Sequence, residues 1–320
     1  MRLSRWLGRA AVLCTPLLAA CGATRAGSRA AEGMGSLVVP AVRVYDMRAA
    51  RWTDFDEMTR AAAKADMVFL GEQHDDPVTH SVELAVLRAI GAQRGRVVLS
   101  LEMFERDVQP LLDRYLSGAI TESEFLAGAR PWDRYATDYR PMVELAKARG
   151  WPVIAANVPR RIASDVSRRG LAHLDTMNAA DRAFVAREHA CPRDRYFDRF
   201  AATMSSHGAG SGPPSAADAA AAEAITLRFY QAQCVKDEAM GEAVADAWTR
   251  ARPTPVLHVD GAFHSDYFLG TVERARRRAP DAQVVVLTAV PVLNLNNADP
   301  APHKDRADYL IFTLAAPPTR

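Results

Sequence analysis

The stretch DMVFLGEQHDDPVTHSVELAVLRAIGAQRGRVVLSLE (66–102) predicts the fold of the whole chain. It begins with the apolar run DMVFLG, continues through a helical pattern at 77–94 and ends with the apolar run RVVLSLE. Continuous rather than alternating apolarity is typical of strands that are covered on both faces. A strand, a helix and a strand of these lengths favour parallel pairing. The stretch therefore predicts one unit of a parallel α/β sheet.

Five further apolar runs, mostly rich in Val, Ile and Leu, extend this pattern in both directions along the chain. They are LVVPAVRVYD (37–46), PVIAAN (152–157), PVLHVDG (255–261), AQVVVLTAV (282–290) and DYLIFTL (308–314). The remaining helical patterns lie at 54–64, 107–118, 121–129, 139–149, 159–169 and 265–278. The predicted fold class is α/β, a three-layer α/β/α arrangement with a mainly parallel sheet.

Residues 171–250 break the alternation, and we predict that they form a helical cap subdomain over one end of the sheet. They contain no convincing strand, and helical patterns occur at 178–189 and 220–249. The stretch MSSHGAGSGPPSAAD (204–218) is rich in Gly, Ser and Pro, which predicts a mobile loop between these helices. The predicted α/β domain comprises residues 37–170 and 251–316.

The first 20 residues, MRLSRWLGRAAVLCTPLLAA, have the pattern of an export signal: a basic start, a short apolar run and small residues at the end. The apolar run is too short to span a bilayer. Leu18-Ala19-Ala20-Cys21 resembles a bacterial lipobox, which implies cleavage before Cys21 and acylation of that cysteine. The alternative is a plain signal peptide with an incidental cysteine. Residues 21–36 are small and polar, and predict a flexible tether.

The charge balance argues against nucleic acid as a partner. The 320 residues include 40 Lys or Arg and 38 Asp or Glu, and loss of Arg2, Arg5 and Arg9 with the signal leaves 37 basic against 38 acidic residues. Nucleic-acid binding requires a surplus of basic side chains at the phosphates. The hydrophobic fraction of 49% also excludes a disordered chain.

Two cysteines remain once Cys14 leaves with the signal and Cys21 carries lipid. These are Cys191 and Cys234, and in an oxidising compartment we expect them to form a disulfide. The alternative is a pair of buried thiols.

Polar side chains stand at the ends of four predicted strands. Glu72 and His74 follow DMVFLG, Glu102 ends RVVLSLE, Asn157 ends PVIAAN, and His264 follows PVLHVDG. Ligands of open parallel sheets bind beyond the carboxyl ends of the strands, so we expect these side chains to meet in one pocket. Each of them could instead be structural, for example as a helix cap, a turn residue or the partner of an arginine.

Three of these residues, His74, Glu102 and His264, could hold a divalent metal such as zinc, manganese or cobalt. Glu72 would then be a further ligand or the general base. Two imidazoles and one carboxylate with an open coordination position form a known catalytic arrangement. The alternative function at this edge of the sheet is therefore metal-dependent hydrolysis, esterase-like or protease-like, with Glu72 and Glu102 as catalytic carboxylates.

Four segments together resemble the ChaN family of haem-binding lipoproteins, which belongs to a wider group with the erythromycin esterases and the Tiki/TraB proteins. The segments are VFLGEQHDDPVTH (68–80), VVLSLEMFERDVQP (97–110), YRPMVELAKARGWPVIAANVPRRIA (139–163) and VDGAFHSDYFLG (259–270). The signature of the wider group corresponds here to Gly71-Glu72-Gln73-His74, then Glu102, then Gly261-Ala262-Phe263-His264.

The resemblance implies a haem-binding lipoprotein that takes part in haem and iron acquisition. It would be lipid-anchored in the outer membrane, face the periplasm and act with an outer-membrane haem receptor, as a binding protein rather than an enzyme. The haem would be held non-covalently between two subunits of a homodimer, with the iron bound by a tyrosine and the propionates by basic or imidazole groups. The candidates are Tyr139, Tyr267 and Tyr230 for the iron, and His264, Arg160, Arg161 and Lys236 for the propionates. Each tyrosine could instead belong to the core, and the two arginines to a solvated helix face.

Overall fold

The structure is a computed structural model that describes residues 39–207 and 216–315. The predicted signal peptide (1–20), the tether (21–36) with Cys21, and residues 208–215 of the loop rich in Gly, Ser and Pro lie outside the described residues. Within the described ranges, no helix combines the length and the apolar character that crossing a bilayer requires.

Eight strands form one sheet in the order β2-β1-β8-β7-β3-β6-β4-β5. They are β1 (Val42–Asp46), β2 (Arg51–Thr53), β3 (Met67–Glu72), β4 (Val98–Glu105), β5 (Val153–Asn157), β6 (Val256–Gly261), β7 (Val284–Val292) and β8 (Tyr309–Leu314). The strands from β8 to β5 in this order pair in parallel, whereas β1 is antiparallel to both β8 and β2. The mainly parallel sheet confirms the predicted α/β class. The sequence did not predict the short edge strand β2.

The helices that connect and cover the strands follow the predicted alternation. They are α1 (Phe55–Ala62), α2 (Pro77–Arg94), α3 (Gln109–Leu116), α4 (Glu122–Ala129), α5 (Tyr135–Asp138), α6 (Arg140–Arg149), α7 (Arg160–Arg169), α8 (Ala179–Arg182), α9 (Arg195–His207), α10 (Ala216–Ala251), α11 (Ala262–Ser265) and α12 (Gly270–Arg278). The predicted helix at 265–278 is interrupted, because Tyr267 and Phe268 adopt a positive φ of 61° between α11 and α12.

Local signals explain why the stretch 66–102 could be predicted. The side chain of Asp76 accepts a hydrogen bond from the amide of Val78 at the start of α2, where Pro77 suits the first helical turn. Gly95 ends the helix with a φ of +74°, a conformation that glycine adopts without strain. Every residue of β3 is buried, because this strand lies between β6 and β7 and is covered on both faces.

The helical pattern at 178–189 is only partly realised, because α8 ends at Arg182. After α8, carboxylates of α10 accept hydrogen bonds from backbone amides that a longer helix would use internally. The amide of Arg187 donates to Glu242 across 2.8 Å, and that of Ala190 donates to Glu238 across 3.0 Å. The second predicted helix, 220–249, corresponds to α10, which is longer, whereas α9 was not predicted. Residues 204–207 and 216–218 of the predicted loop are helical, as parts of α9 and α10. Within 171–207 and 216–250 there is no strand, as expected.

Helix α10 packs against α7, α12 and β5. The predicted disulfide between Cys191 and Cys234 is confirmed, with Cα atoms 5.7 Å apart, and it ties the segment after α8 to this helix. The division of the chain into an α/β domain and a helical cap stays a prediction.

Candidate functional site

The carboxyl ends of three adjacent parallel strands carry the predicted pocket residues. Glu72 is the last residue of β3 and pairs with Gly261, the last residue of β6. Glu102 lies inside β4 rather than at its end, but it directly follows Leu101, after which the pairing of β4 with β5 becomes irregular. His264 lies in α11, directly beyond β6. The parallel register thus brings these side chains to one edge of the sheet.

Two glycines of the motifs allow this edge to pack closely. A methyl group on Gly261 would lie 2.7 Å from Nε2 of His74, and a methyl group on Gly71 would lie 2.8 Å from Cα of Ala262. At Gly71 the clash is with backbone, so this position requires glycine, whereas at Gly261 a methyl group would have to displace the His74 ring. The amide of Gly261 also donates a 2.8 Å hydrogen bond to Oε2 of Glu102. His74 and Glu102 therefore meet at the end of β6.

His264 lies between two buried carboxylates. Its Nε2 is 3.4 Å from Oε1 of Glu102, and its Nδ1 is 2.7 Å from Oδ1 of Asp237, a residue of α10. Burial alone would lower the pKa of His264, but the charges of Glu102 and Asp237 raise it to about 10. His264 in turn lowers the pKa of Glu102 well below its usual value, against the effect of burial. The amide of Gln233 completes the contacts, 3.2 Å from Nε2 of His264.

A second group of ionisable side chains surrounds Glu72. Oε1 of Glu72 accepts hydrogen bonds from Nδ1 of His74 and, across 2.7 Å, from the hydroxyl of Tyr139. Oε2 of Glu72 lies 3.4 Å from Nδ1 of His80, and Oε2 of Glu83 lies 3.2 Å from the same nitrogen. Glu72, His80 and Glu83 are all at least 96% buried. His80 and Glu83 were not predicted as site residues, although two ionisable residues three apart in an apolar helix are a usable signal.

The pKa values in this second group diverge. Burial would raise the pKa of Glu72, but the neighbouring imidazoles of His74 and His80 lower it to about 2. Burial would lower the pKa of His80, but Glu72 and Glu83 raise it to about 11. The pKa of Glu83 is raised well above its usual value by burial and by the charge of Glu72. In the absence of a bound ion, the group thus pairs one imidazolium with one carboxylate and one carboxylic acid.

The metal-ligand set predicted from the sequence differs from the set whose ligand atoms lie close together in the structure. Among the described residues, Glu72, His80 and Glu83 form a group whose ligand atoms all lie within 4.8 Å of one another. The predicted trio of His74, Glu102 and His264 does not form such a group within the same residues. Glu72, predicted as an additional ligand, belongs to the observed set.

A cavity of about 950 Å³ opens beside His74, between the β3–α2 turn, the segment 130–139 and α7. This volume suits a ligand at the upper end of the size range of small molecules and cofactors. His74, Pro131, Trp132 and Tyr139 contribute ring surface to the wall. The Trp132 ring meets the rings of His74 and Tyr139 edge to face, with centroids 5.0 and 6.1 Å apart.

Five arginines line this cavity, and four of them are paired with acids. Each ion pair has an N–O distance of 2.8 Å or less: Arg130 with Glu105 and Asp107, Arg134 with Asp138, Arg161 with Asp181, and Arg168 with Asp165. Arg160 is exposed and has no ion-pair partner within the described part of the chain. The cavity therefore offers at least one guanidinium to an anionic ligand.

The three candidate tyrosines lie in different surroundings. Tyr139 lines the cavity, but burial and the neighbouring Glu72 raise its pKa well above the usual value, so its phenolate is disfavoured. Tyr230 is fully buried, and its hydroxyl donates a 2.8 Å hydrogen bond to the carbonyl of Pro192. Tyr267 is half-buried and does not line the cavity; its ring centroid lies 4.8 Å from the guanidinium of Arg199.

The other predicted residues divide between the cavity and its surroundings. Arg160 and Arg161 lie on α7 and line the cavity. Lys236 does not line it, and its charge lowers the pKa of Glu102. Asn157 is buried, its Oδ1 lacks a hydrogen-bond partner in the described structure, and it is not part of the cavity wall. Asp237 and Gln233, which contact His264, were not predicted as site residues.

Comparison with known proteins is informative for most of the chain. A family model described as haem-binding uptake, Tiki superfamily, ChaN matches residues 58–275. The solved structure of ChaN of Campylobacter jejuni, described as showing cofacial haem binding, has a TM-score of 0.62 at 16% identity, over 84% of this chain and 96% of that chain. An erythromycin esterase mutant in its open conformation has a TM-score of 0.44 at 12% identity, over 88% and 84%. No curated protein matches the chain. At 16% identity, the likeness to ChaN shows a common fold.

Proposed function

The chain belongs to the haem-binding uptake family ChaN of the Tiki superfamily, and on this premise we propose that it binds haem in the cavity beside His74. The observation that carries the proposal is the composition of that cavity. A volume of about 950 Å³, the rings of Trp132 and Tyr139 and the exposed Arg160 lie together in one place. A planar apolar macrocycle with two carboxylates requires ring surface and cations in this combination.

The residues of the cavity also allow a test of which group fits the iron. Tyr139 does not fit, because its hydroxyl donates to Glu72 and its pKa is raised. His74 fits better, since 43% of its side chain is exposed and it is the imidazole in the cavity wall. Glu72 holds Nδ1 of His74, which increases the basicity of the ring. We therefore assign the iron to His74, in place of the tyrosine that the family resemblance implies.

A hemin titration followed by visible spectroscopy tests this assignment. We expect a saturable Soret shift at about one hemin per chain, and a changed Soret position in His74→Ala. Tyr139→Phe and Tyr267→Phe are matched controls that should keep the position of the wild type. The absence of a saturable shift would contradict haem binding. A shift that is altered by Tyr267→Phe and not by His74→Ala would instead move the iron out of the cavity.

We also propose that the protein is a lipoprotein of the outer membrane that takes part in haem acquisition. The lipobox at Cys21 and the disulfide between Cys191 and Cys234 support this location, because structural disulfides persist in oxidising compartments. In this proposal the chain faces the periplasm, forms a homodimer and passes haem to or from an outer-membrane receptor. Mass spectrometry of the mature amino terminus, with Cys21→Ser as the control, tests the lipid anchor, and sedimentation with and without hemin tests the dimer.

Metal-dependent hydrolysis is a second candidate. The observation that favours it is the pairing of Glu102 with His264 across 3.4 Å at the end of β6, next to His74. Hydrolysis of a chromogenic ester by protein loaded with Zn²⁺, Mn²⁺ or Co²⁺, and its loss in Glu102→Gln, would support this candidate. Equal rates with and without metal, or in Glu102→Gln and the wild type, would contradict it.

A further inference from the structure

The geometry around His80 points to a metal site that adjoins the haem cavity through Glu72, has no ligand in the cavity lining and does not depend on haem binding. We propose that Glu72, His80 and Glu83 together bind one divalent transition-metal ion, with Nδ1 of His80 and one carboxylate oxygen of each glutamate as ligands. These residues come from the end of β3 and the buried face of α2.

The orientation of the His80 ring is the first argument. Its Nε2 lies 3.1 Å from the carbonyl oxygen of His74, which can only accept a hydrogen bond, so Nε2 carries a proton. A neutral ring then directs the lone pair of Nδ1 towards Glu72 and Glu83. When both glutamates are ionised, a lone pair that faces the two carboxylates is repulsive unless a cation lies between them. That cation is either a second proton on the ring or a metal ion.

The distances favour a metal ion over a proton. Nδ1 of His80 lies 3.4 Å from Oε2 of Glu72 and 3.2 Å from Oε2 of Glu83. Hydrogen bonds between charged groups are shorter, at about 2.7–2.9 Å. Two ligands of one tetrahedral ion, each bound at about 2.0–2.1 Å, lie about 3.3 Å apart. The two spacings from His80 match the second case, and the ligand atoms of the two glutamates lie within 4.8 Å of each other.

Unsatisfied oxygens provide an independent observation. Oε2 of Glu72 and Oε1 of Glu83 are buried and lack a hydrogen-bond partner within the described structure. Buried carboxylate oxygens without partners are costly, and a bound cation would remove this cost. Oε1 of Glu83 could also serve as a second ligand atom from the same carboxylate. A divalent ion would balance the charges of the two carboxylates within the interior.

The groups behind the three ligands resemble the outer shell of a metal site. His80 is held through Nε2 by the His74 carbonyl, and Glu72 is held through Oε1 by His74 and Tyr139. Ligating histidines typically donate their other nitrogen in this way. One imidazole with two carboxylates suits Zn²⁺ or Mn²⁺. Because the three side chains are buried, we expect the ion to be taken up during folding.

The test measures metal in the full chain. Protein produced with Zn²⁺ and Mn²⁺ in the medium and purified without chelator should contain about one ion per chain by elemental analysis. Glu83→Gln should retain less than about a tenth of the wild-type metal, because it removes a charged ligand. Glu188→Gln makes the same change at an exposed position and should keep the ion. His264→Gln should also keep it, which separates this site from the His74, Glu102 and His264 set.

X-ray absorption on the Zn²⁺-loaded wild type gives a readout that needs no variant. We expect one imidazole nitrogen and carboxylate oxygens around the ion. Two imidazole nitrogens around the ion would assign the ion to His74, Glu102 and His264 and overturn the proposal. A wild type that stays metal-free after refolding with excess Zn²⁺, or an ion retained in folded Glu83→Gln, would overturn it as well. In that case a proton, not a metal, joins His80 to the carboxylates, while haem binding would be unaffected.

Discussion

The hydroxyl of Tyr139 donates a 2.7 Å hydrogen bond to Oε1 of Glu72, which joins the segment before α6 to the end of β3. The same oxygen accepts from His74, so one buried carboxylate fixes both an aromatic ring and an imidazole of the cavity wall. The two candidate iron ligands of this cavity are thereby distinguished, because Glu72 lowers the acidity of Tyr139 and strengthens His74 as a base.

Replacing Tyr139 by phenylalanine removes this hydrogen bond without changing the shape of the ring. We expect the free energy of unfolding to fall by about 1–3 kcal/mol, because a buried carboxylate loses a donor. The Soret position of the hemin complex should stay unchanged. Chemical denaturation and a hemin titration measure the two effects, with Tyr45→Phe, outside the cavity, as the control. A lost Soret band in a folded Tyr139→Phe protein would identify Tyr139 as the ligand.

Gly261→Ala should disturb the site while the fold persists. The added methyl group would lie 2.7 Å from Nε2 of His74 and must displace that ring. We expect a changed Soret spectrum and a loss of stability of about 1–3 kcal/mol from overpacking. Gly95→Ala is the control, since its φ of +74° is strained for alanine but a methyl group there meets no atom within 4 Å. A wild-type hemin spectrum in Gly261→Ala would contradict a role for the close approach of Gly261 and His74 in haem binding.

The sequence could predict part of the candidate site. The rule that ligands bind at strand ends selected Glu72, His74, Glu102, Asn157 and His264. The parallel register does bring the elements that carry Glu72, Glu102 and His264 to one edge of the sheet, whereas Asn157 is not part of the cavity wall. The rule could not find Asp237, because this residue reaches His264 from α10 and no local pattern shows which helical residue faces a pocket.

The fold was predicted best where its signals are local. The limits of α2 follow from Asp76, Pro77 and Gly95, which lie within or next to the helix. Strand β2 was missed because three residues, two of them exposed, give no apolar pattern. The end of α8 was missed because the amides beyond it donate to Glu238 and Glu242, 48 and 55 residues away in the sequence.

Stability should depend on His258 at acidic pH. This residue is fully buried in β6, and burial lowers its pKa to about 3, below the usual value of 6.5. Between these values the unfolded chain binds a proton that the folded chain does not, so stability falls as pH decreases from 6.5 towards 3. The slope from this group approaches about 1.4 kcal/mol per pH unit. Urea denaturation at several pH values in this range gives the pH dependence of the free energy of unfolding. In His258→Asn this dependence should be smaller than in the wild type by the contribution of about one proton. Equal slopes would contradict the buried neutral state.

The disulfide between Cys191 and Cys234 should contribute substantially to stability. It closes a loop with a sequence separation of 43 residues, for which chain entropy gives about 4 kcal/mol and measured cases about 2–4 kcal/mol. The double variant Cys191→Ala/Cys234→Ala should therefore unfold at lower denaturant concentration, with little change in hemin affinity, because neither cysteine lines the cavity. Comparison with the reduced wild type separates the loss of the bond from the loss of the sulfur atoms. An unchanged denaturation midpoint in the double variant would contradict a contribution of the disulfide to stability.

The most direct measurement for the central claim is hemin affinity in Arg160→Ala compared with Arg169→Ala. Both arginines are exposed on α7, but only Arg160 lines the cavity. If a haem propionate binds there, Arg160→Ala should weaken hemin binding by roughly fivefold, or about 1 kcal/mol, and the effect should shrink at high salt. Arg169→Ala should bind hemin like the wild type. Equal affinities of the two variants, or a wild type that shows no saturable binding, would contradict haem binding in this cavity.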